Sequence, residues 1–109
     1  MVTVTKITGF QWDTGNREKC RKHGTSMREV ESIFDEDRPV TIFPDTAHST
    51  VETRMRAIGQ THRGRHAFVV FTLREQEGKT HIRPISARYM HKREVAHYEK
   101  ETETADPRD

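Results

Sequence analysis

Residues 53–88 read TRMRAIGQTHRGRHAFVVFTLREQEGKTHIRPISAR, and this stretch decides the fold because it holds three strand patterns separated by two turns. Residues 53–61 alternate in side-chain type, and residues 67–73 are apolar on both faces, as in a central strand. Residues 81–88 form the third strand pattern, in which Pro84 lacks an N–H group and therefore indicates a sheet edge or a bulge. Consecutive strands joined by short turns predict an antiparallel sheet.

Two helices are predicted on the N-terminal side of this stretch. Asp13 is a preferred N-cap for a helix over residues 14–23, and Gly24 can end that helix in the left-handed conformation. Ser26 and Glu29 have the spacing of a capping box at the start of a second helix. The apolar residues of that helix follow at helical spacing, at Val30, Ile33 and Phe34.

The remaining elements complete the order along the chain. Residues 7–12 and 40–43 have strand patterns, and residues 91–101 have the pattern of a last helix. The order β-α-α-β-β-β-β-α predicts an α+β fold, with a mostly antiparallel sheet and helices on one side. We expect a single domain over residues 1–101 and a flexible tail over residues 102–109.

The composition excludes several classes of protein. The chain has 109 residues, of which Leu, Ile, Val and Phe account for only 20, so one small domain with a thin core is expected. No apolar run approaches the roughly 18 residues of a membrane-spanning helix, and no signal-peptide pattern is present. The single cysteine excludes an intrachain disulfide. These features predict a soluble, cytoplasmic protein.

The net charge of +2 conceals a strong asymmetry along the chain. Residues 54–93 carry a charge of +8, whereas residues 94–109 carry −4. Arginine binds phosphate through a planar, bidentate fork, so a basic block of this kind indicates a nucleic-acid surface. The alternative is a solvated surface that pairs with the acidic helix at residues 28–37. The arginines of the basic block are at positions 54, 56, 63, 65, 74, 83, 88 and 93.

Glu52 is a candidate base at the start of the basic block. Strand alternation places Glu52, Arg54 and Arg56 on one face, where a carboxylate beside two guanidinium groups suits a base close to a bound phosphate. Ser49 and Glu52 also have the spacing of a capping box, so a structural role as a helix cap is equally open.

Histidine and cysteine side chains are the other candidate groups. Five of the seven histidines lie in or beside the basic block, at positions 48, 62, 66, 81 and 91. Imidazole can act as acid or base in phosphodiester cleavage, although most single histidines in a polar protein are simply exposed. Basic neighbours predict a lowered pKa for the Cys20 thiol, but its helical position without a paired histidine argues against catalysis. No metal-ligand spacing and no glycine-rich phosphate loop is present, so we expect neither a metal nor a cofactor.

A series of short motifs runs in one order through residues 10–99. The motifs are Phe10-Gln11-Trp12-Asp13, Gly15-Asn16, Lys22-His23-Gly24, Ser26-x-x-Glu29, His48-Ser49-x-x-Glu52-x-Arg54, Ile58-Gly59, Gly64-Arg65, Ile82-Arg83-Pro84-Ile85-Ser86-Ala87-Arg88 and Glu94-x-x-x-Tyr98. Each motif is weak, but the ordered set is specific. It resembles the BrnT-type toxins, which are the toxin halves of type II toxin–antitoxin systems in bacteria.

The resemblance implies a fold similar to that of the RelE-type ribonucleases, and an endoribonuclease activity that cleaves RNA without a metal. It also implies a ribbon-helix-helix antitoxin of the BrnA type as partner. That antitoxin neutralises the toxin and represses the shared operon, so the toxin meets DNA only through the antitoxin complex.

The chemistry of RNA cleavage fits the candidate residues. RNA supplies its own nucleophile, the 2′-hydroxyl, so the protein needs a proton acceptor, a proton donor and positive charge near the phosphorane. Glu52 or His48 is the candidate base, and His48 or His91 is the candidate acid. The candidate phosphate and transition-state ligands are Arg54, Arg65, Arg83 and Arg88, and the candidate RNA-binding residues are Lys22, His23, Arg56 and Arg63. For Arg83 and Arg88 the alternative is a structural ion pair with a helix carboxylate.

Two other functions stay open at this point. One is a non-catalytic module that binds RNA or an antitoxin, and the other is a degenerate toxin that acts within a repressor complex. The spacing of residues does not distinguish them from the ribonuclease, because it does not establish an acid–base pair.

Overall fold

A computed structural model describes residues 7–35, 39–45 and 53–104, with side chains through residue 100. The elements in this part of the chain are β1 (Ile7–Phe10), α1 (Thr14–Lys22), α2 (Met27–Ser32), β2 (Val40–Pro44), β3 (Met55–Gln60), β4 (His66–Gln76), β5 (Lys79–Tyr89) and α3 (Lys92–Thr104). None of these helices has the length and apolarity needed to cross a membrane.

The strands form one sheet in the order β1-β5-β4-β3-β2. Strands β2 to β5 are antiparallel to their sequence neighbours, and β1 lies parallel to β5. The apolar run at residues 67–73 lies in β4, the central strand of the sheet, as its pattern predicts. The α+β class, the mostly antiparallel sheet and the order of elements are confirmed.

Both N-terminal helices begin at the predicted capping residues. The Asp13 carboxylate accepts a hydrogen bond from the Asn16 N–H at 2.9 Å, and the Asn16 side chain accepts one from the Asp13 N–H at 2.7 Å. Ser26 and Glu29 exchange the same two bonds at the start of α2. Gly24 has a φ of 86°, the left-handed conformation that follows the end of α1.

The core lies between α1, α2 and one face of the sheet. Cys20 of α1, Val30 of α2 and Ile33, which directly follows α2, pack against the sheet. Their partners are alternate strand residues, which are Ala57, Ala67, Val69, Phe71, Ile82 and Ala87. Burial raises the pKa of the Cys20 thiol to about 11. The predicted lowering of this pKa is therefore wrong, because the thiol points into the core while its basic neighbours stay exposed.

A β-bulge in β5 decides which of its residues reach each face of the sheet. The register between β4 and β5 shifts between Val70 and Phe71, so that Ile85 is the extra residue. An extra residue reverses the alternation of side chains beyond it, and Arg88 consequently faces away from the core. In the sequence, Pro84 indicated either a sheet edge or a bulge, and the structure has the bulge.

The third helix contacts the sheet face opposite the core. Thr41 and Ile58 pair across β2 and β3, and Ile58 pairs with Phe68, so these side chains share that opposite face. The Tyr98 hydroxyl of α3 is hydrogen-bonded to the Thr41 hydroxyl at 2.7 Å. The prediction that the helices lie on one side of the sheet is correct for α1 and α2. Helix α3 instead contacts the opposite face, because Thr41, the hydrogen-bond partner of Tyr98, points to that face.

Candidate active site

Two arginines and one aromatic ring meet on the sheet face that α1 and α2 leave uncovered. The guanidinium carbons of Arg56 and Arg88 lie 5.6 and 5.1 Å from the centre of the Phe68 ring. Arg56 also lies 5.9 Å from the centre of the Phe43 ring. Such cation–π contacts orient the guanidinium groups. We call Arg56, Phe68 and Arg88 the arginine face.

Arg56 is held by a buried carboxylate. Its Nη2 donates to Oδ1 of Asp45 at 2.8 Å, and Asp45 is only 3% exposed. The Nε of Arg56 is buried and has no hydrogen-bond partner among the residues that the structure describes. One donor of this guanidinium is therefore unused, while the ion pair fixes the position of the group.

Arg88 forms a two-pronged pair with the first turn of α3. Its Nη1 and Nη2 donate to Oε1 and Oε2 of Glu94, both at 2.8 Å. The hydrogen bonds from Arg88, and after them the bond from the His91 backbone N–H, lower the pKa of the Glu94 carboxyl to about 2. The Arg88 side chain is 39% exposed and the Glu94 side chain 36%, so water and other anions can reach the pair.

His66 and Tyr98 lie beside the arginine face. His66 is two residues before Phe68 on the same strand, and its side chain therefore points to the same side of the sheet. The rings of His66 and Tyr98 meet edge to face with their centres 6.1 Å apart. An imidazole thus lies on the same face of the sheet as the two fixed guanidinium groups.

A second group of cations lies around the α1–α2 turn. The guanidinium of Arg65 stacks on the Tyr89 ring with its carbon 3.5 Å from the ring centre. The Tyr89 hydroxyl donates to the Glu29 carboxylate at 2.6 Å, and it lies 3.3 Å from the Gly24 carbonyl oxygen. Lys22, His23, Arg63 and Arg65 are exposed, and we call these four residues the turn cluster.

The Glu29 carboxylate below the turn cluster is buried but ionised. Burial alone would raise its pKa, but hydrogen bonds from the Tyr89 hydroxyl and from Ser26 outweigh burial and hold the pKa below its ordinary value. Burial and the neighbouring Glu29 carboxylate raise the pKa of Tyr89. The charge of Glu29 partly offsets the positive charges of Arg63 and Arg65 nearby.

The predicted site residues lie in separate parts of the structure. Arg56 and Arg88 share the arginine face, whereas Arg65 belongs to the turn cluster with three of the predicted RNA-binding residues. Arg83 is paired with Asp13, the N-cap of α1. Both Arg83 and Arg88 therefore form the helix-carboxylate ion pairs that were the alternative interpretation of these residues.

The other predicted residues lie at the ends of elements or outside the described part of the chain. Arg54 precedes β3, and its carbonyl accepts a hydrogen bond from the Asp45 N–H at 2.8 Å. His91 is exposed just before α3 and donates its backbone N–H to Glu94 at 2.9 Å. His48 and Glu52 lie outside the described residues, so the predicted base and one predicted acid stay predictions.

Sequence reasoning gave no site role to Phe68 or Tyr98, and it named His66 only as one of five candidate histidines. Phe68 was assigned only to the apolar central strand, although its cross-strand partner is Arg88. A strict hairpin register from the Gln76–Lys79 pair would have placed Phe68 opposite Ala87. The bulge at Ile85 moves the partner by one residue, and only Pro84 signals that bulge.

The fold and this site define a class: a small α+β protein whose sheet face opposite α1 and α2 carries arginines fixed on an aromatic ring. The chain belongs to the family described as the ribonuclease toxin, BrnT, of type II toxin–antitoxin systems, whose model matches residues 12–94. No curated protein matches the chain. The matched range includes the arginine face and the turn cluster.

Membership in this family implies both a partner and a target for the chain. A toxin of a type II system has an antitoxin as its partner, and a ribonuclease toxin has RNA as its target. Tyr98 lies beyond the matched range, so its contact with His66 is a feature of this chain that the family match does not describe.

Proposed function

We propose that this protein is a metal-independent endoribonuclease whose substrate backbone lies across the arginine face. The observation that carries this proposal is the pair of guanidinium groups fixed on the Phe68 ring, on the side of the sheet away from α1 and α2. Fixed positive charge near a phosphorane is the main requirement of a reaction in which the substrate brings its own nucleophile.

The Arg88–Glu94 pair supports a phosphate site at Arg88. A bidentate carboxylate occupies the two donors of Arg88 that would bind two oxygens of a phosphate. The pair is more than a third exposed, so an RNA phosphate can exchange with the carboxylate without unfolding the sheet. We propose that RNA binding replaces Glu94 on Arg88.

The cleavage step needs two proton transfers in addition to charge. The 2′-oxygen attacks phosphorus as a base removes its proton, the bond from phosphorus to the 5′-oxygen breaks, and an acid protonates that oxygen. The products are a 2′,3′-cyclic phosphate and a 5′-hydroxyl. Glu52 or His48 is the proposed base, and His48 or His91 is the acid that the sequence suggests.

The remaining predicted cations keep proposed roles along the RNA. The turn cluster, Lys22, His23, Arg63 and Arg65, offers exposed positive groups that can bind phosphates flanking the scissile one. Arg54 and Arg65 are proposed to add charge near the transition state. Arg83 can contribute only after it exchanges Asp13 for a phosphate.

The proposed antitoxin is a ribbon-helix-helix protein that neutralises the toxin and binds operator DNA. The toxin itself would then reach DNA only as part of that complex. Copurification of the chain with the product of its neighbouring gene, followed by operator binding with and without the toxin, tests this part of the proposal.

The cleavage proposal is tested with the purified protein and a radiolabelled RNA oligonucleotide. Cleavage is expected to persist in excess EDTA and to leave 2′,3′-cyclic phosphate ends. Loss of activity in EDTA that a divalent ion restores would contradict the metal-independent mechanism. A 3′-hydroxyl end would contradict attack by the 2′-oxygen.

A binding module is the second candidate, and a specific observation favours it. The two arginines of the arginine face already have carboxylate partners, Asp45 and Glu94, as structural arginines do. A protein that binds the oligonucleotide in EDTA but leaves it intact, with or without divalent ions, would have this second function.

A further inference from the structure

We propose that His66 is the general acid of the cleavage reaction, the group that protonates the departing 5′-oxygen. This inference rests on the proposed ribonuclease function. The sequence placed His66 among the histidines near the basic block without assigning it a role. In the structure His66 lies against Tyr98 and is a diagonal neighbour of Arg88, whereas His91 is exposed.

The register of the sheet brings His66 close to Arg88. Phe68 is directly opposite Arg88, and His66 is two residues before Phe68 on the same face, so His66 and Arg88 are diagonal neighbours. Diagonal neighbours across an antiparallel pair are about 7–8 Å apart. The His66 carbonyl also accepts a hydrogen bond from the Met90 N–H at 2.9 Å, which ties this end of β4 to β5. A phosphate bound by Arg88 would therefore lie on the same face of the sheet as the imidazole and close to it.

Tyr98 holds the imidazole ring in place. Its ring meets the His66 ring at an interplanar angle of 66°, and its hydroxyl is hydrogen-bonded to Thr41 on β2. His66 is half-buried by these contacts. No hydrogen bond joins either ring nitrogen of His66 to another residue in the described part of the chain, so the ring is positioned while its nitrogens remain available for proton transfer.

The other ionisable groups near the arginine face are unsuited to the acid role. Glu94 has a pKa of about 2 while Arg88 binds it, and a carboxylate that RNA displaces from Arg88 returns towards its ordinary pKa of 4.5, so Glu94 carries no proton at neutral pH in either state. His91 is exposed and contributes its backbone N–H to Glu94. The Tyr98 hydroxyl is hydrogen-bonded to Thr41. An imidazole ring can hold and release a proton, which suits it to the role of a general acid.

Polar and charged groups of three neighbouring elements surround His66. The groups that face it are Gln60 on β3, Arg88 on β5, and Tyr98 and Glu94 on α3. A bound phosphate would supply negative charge next to Arg88, on the same face of the sheet as His66. The proton then moves from the imidazolium to the 5′-oxygen as the bond to phosphorus breaks.

The test compares His66→Ala with the wild-type protein under single-turnover conditions. The variant is expected to cleave RNA roughly 10² to 10⁴ times more slowly, as after loss of a positioned acid. Its affinity for a 2′-deoxy, uncleavable oligonucleotide is expected to change by less than about threefold, because Arg88 is intact. His62→Ala, which removes an exposed histidine of the neighbouring turn, is the matched control and should cleave like wild type.

A second substrate separates the acid role from a structural one. An RNA with sulfur in place of the scissile 5′-oxygen has a leaving group that needs no proton. His66→Ala should cleave this substrate at close to the wild-type rate, and this recovery would show that the variant is folded.

Two results would overturn the inference while leaving the ribonuclease function intact. One is a wild-type rate of His66→Ala on the oxygen substrate, and the other is an equal loss of rate on both substrates. Absence of cleavage by the wild-type protein would instead overturn the proposed function, and this inference with it.

Discussion

The Arg88–Glu94 pair makes opposite contributions to stability and to RNA binding. Glu94→Gln is expected to lower the free energy of unfolding by about 0.5–1 kcal/mol at neutral pH, a small value because the pair is partly exposed. The same change is expected to raise the affinity for RNA, since no carboxylate then competes for Arg88. Thermal melting and RNA binding measure the two effects, with Glu18→Gln, an exposed carboxylate on α1, as the control.

The contribution of the Arg88–Glu94 pair to stability depends on pH, because the pKa of Glu94 is lowered in the folded state. A carboxyl group with a lowered folded-state pKa stabilises the fold above its ordinary pKa of 4.5 and loses that effect as the pH falls towards 2. The stability difference between wild type and Glu94→Gln should therefore shrink over this range. A constant difference from pH 7 to pH 2, or unchanged RNA affinity, would contradict the role given to the pair.

Tyr89 stabilises a buried negative charge below the turn cluster. Tyr89→Phe removes the hydroxyl that bonds Glu29 and should lower the free energy of unfolding by about 1–3 kcal/mol. That corresponds to a fall in Tm of roughly 4 °C or more for a domain of this size. The ring under Arg65 remains, so RNA affinity should change little. A Tm equal to that of wild type would show that Glu29 does not depend on this hydroxyl.

The bulge in β5 is the element-scale feature on which the site depends. Insertion of one alanine between Ser86 and Ala87 would shift the alternation beyond the bulge by one residue, which turns Arg88 towards the core and Ala87 outwards. Because burying an unpaired arginine costs several kcal/mol, the insertion should abolish cooperative unfolding. Circular dichroism melts test this, with one glycine inserted after the exposed Gly78 as the control. An insertion variant that melts like wild type would show that the fold does not depend on the register that the bulge sets.

The elements that local signals specify were predictable from the sequence. The capping residues Asp13 and Ser26 gave the start of both N-terminal helices, because each cap is satisfied by residues within the next turn. The central strand was recognisable from an apolar run that only a strand buried on both faces contains.

The arrangement of the site was less predictable, because it depends on contacts between distant residues. Arg83 and Arg88 could be recognised as cations, but their partners Asp13 and Glu94 follow from how α1 and α3 pack on the sheet. The placement of α3 opposite the core depends on Thr41 and Tyr98, which are far apart in sequence. No local pattern encodes these pairings.

At the scale of the whole molecule, the thin core predicts a strong response to the antitoxin. Leu, Ile, Val and Phe account for 20 of 109 residues, so the isolated toxin should be marginally stable. A partner that binds only the folded state adds about 4 kcal/mol at a thousand times its Kd. Adding saturating antitoxin should raise the Tm by more than about 10 °C. An unrelated acidic protein is the control, and an unchanged Tm with the antitoxin would contradict the prediction.

The central claim is that RNA is cleaved at the arginine face, and the rate of Arg88→Lys tests it most directly. Lysine keeps the charge but loses the two-pronged fork, so single-turnover cleavage in EDTA should fall by about 10²-fold or more, as when a fixed transition-state donor is removed. The Tm of the variant reports its folding, and Arg28→Lys, on the exposed surface of α2, should cleave like wild type. A folded Arg88→Lys protein that cleaves RNA at the wild-type rate would contradict the account.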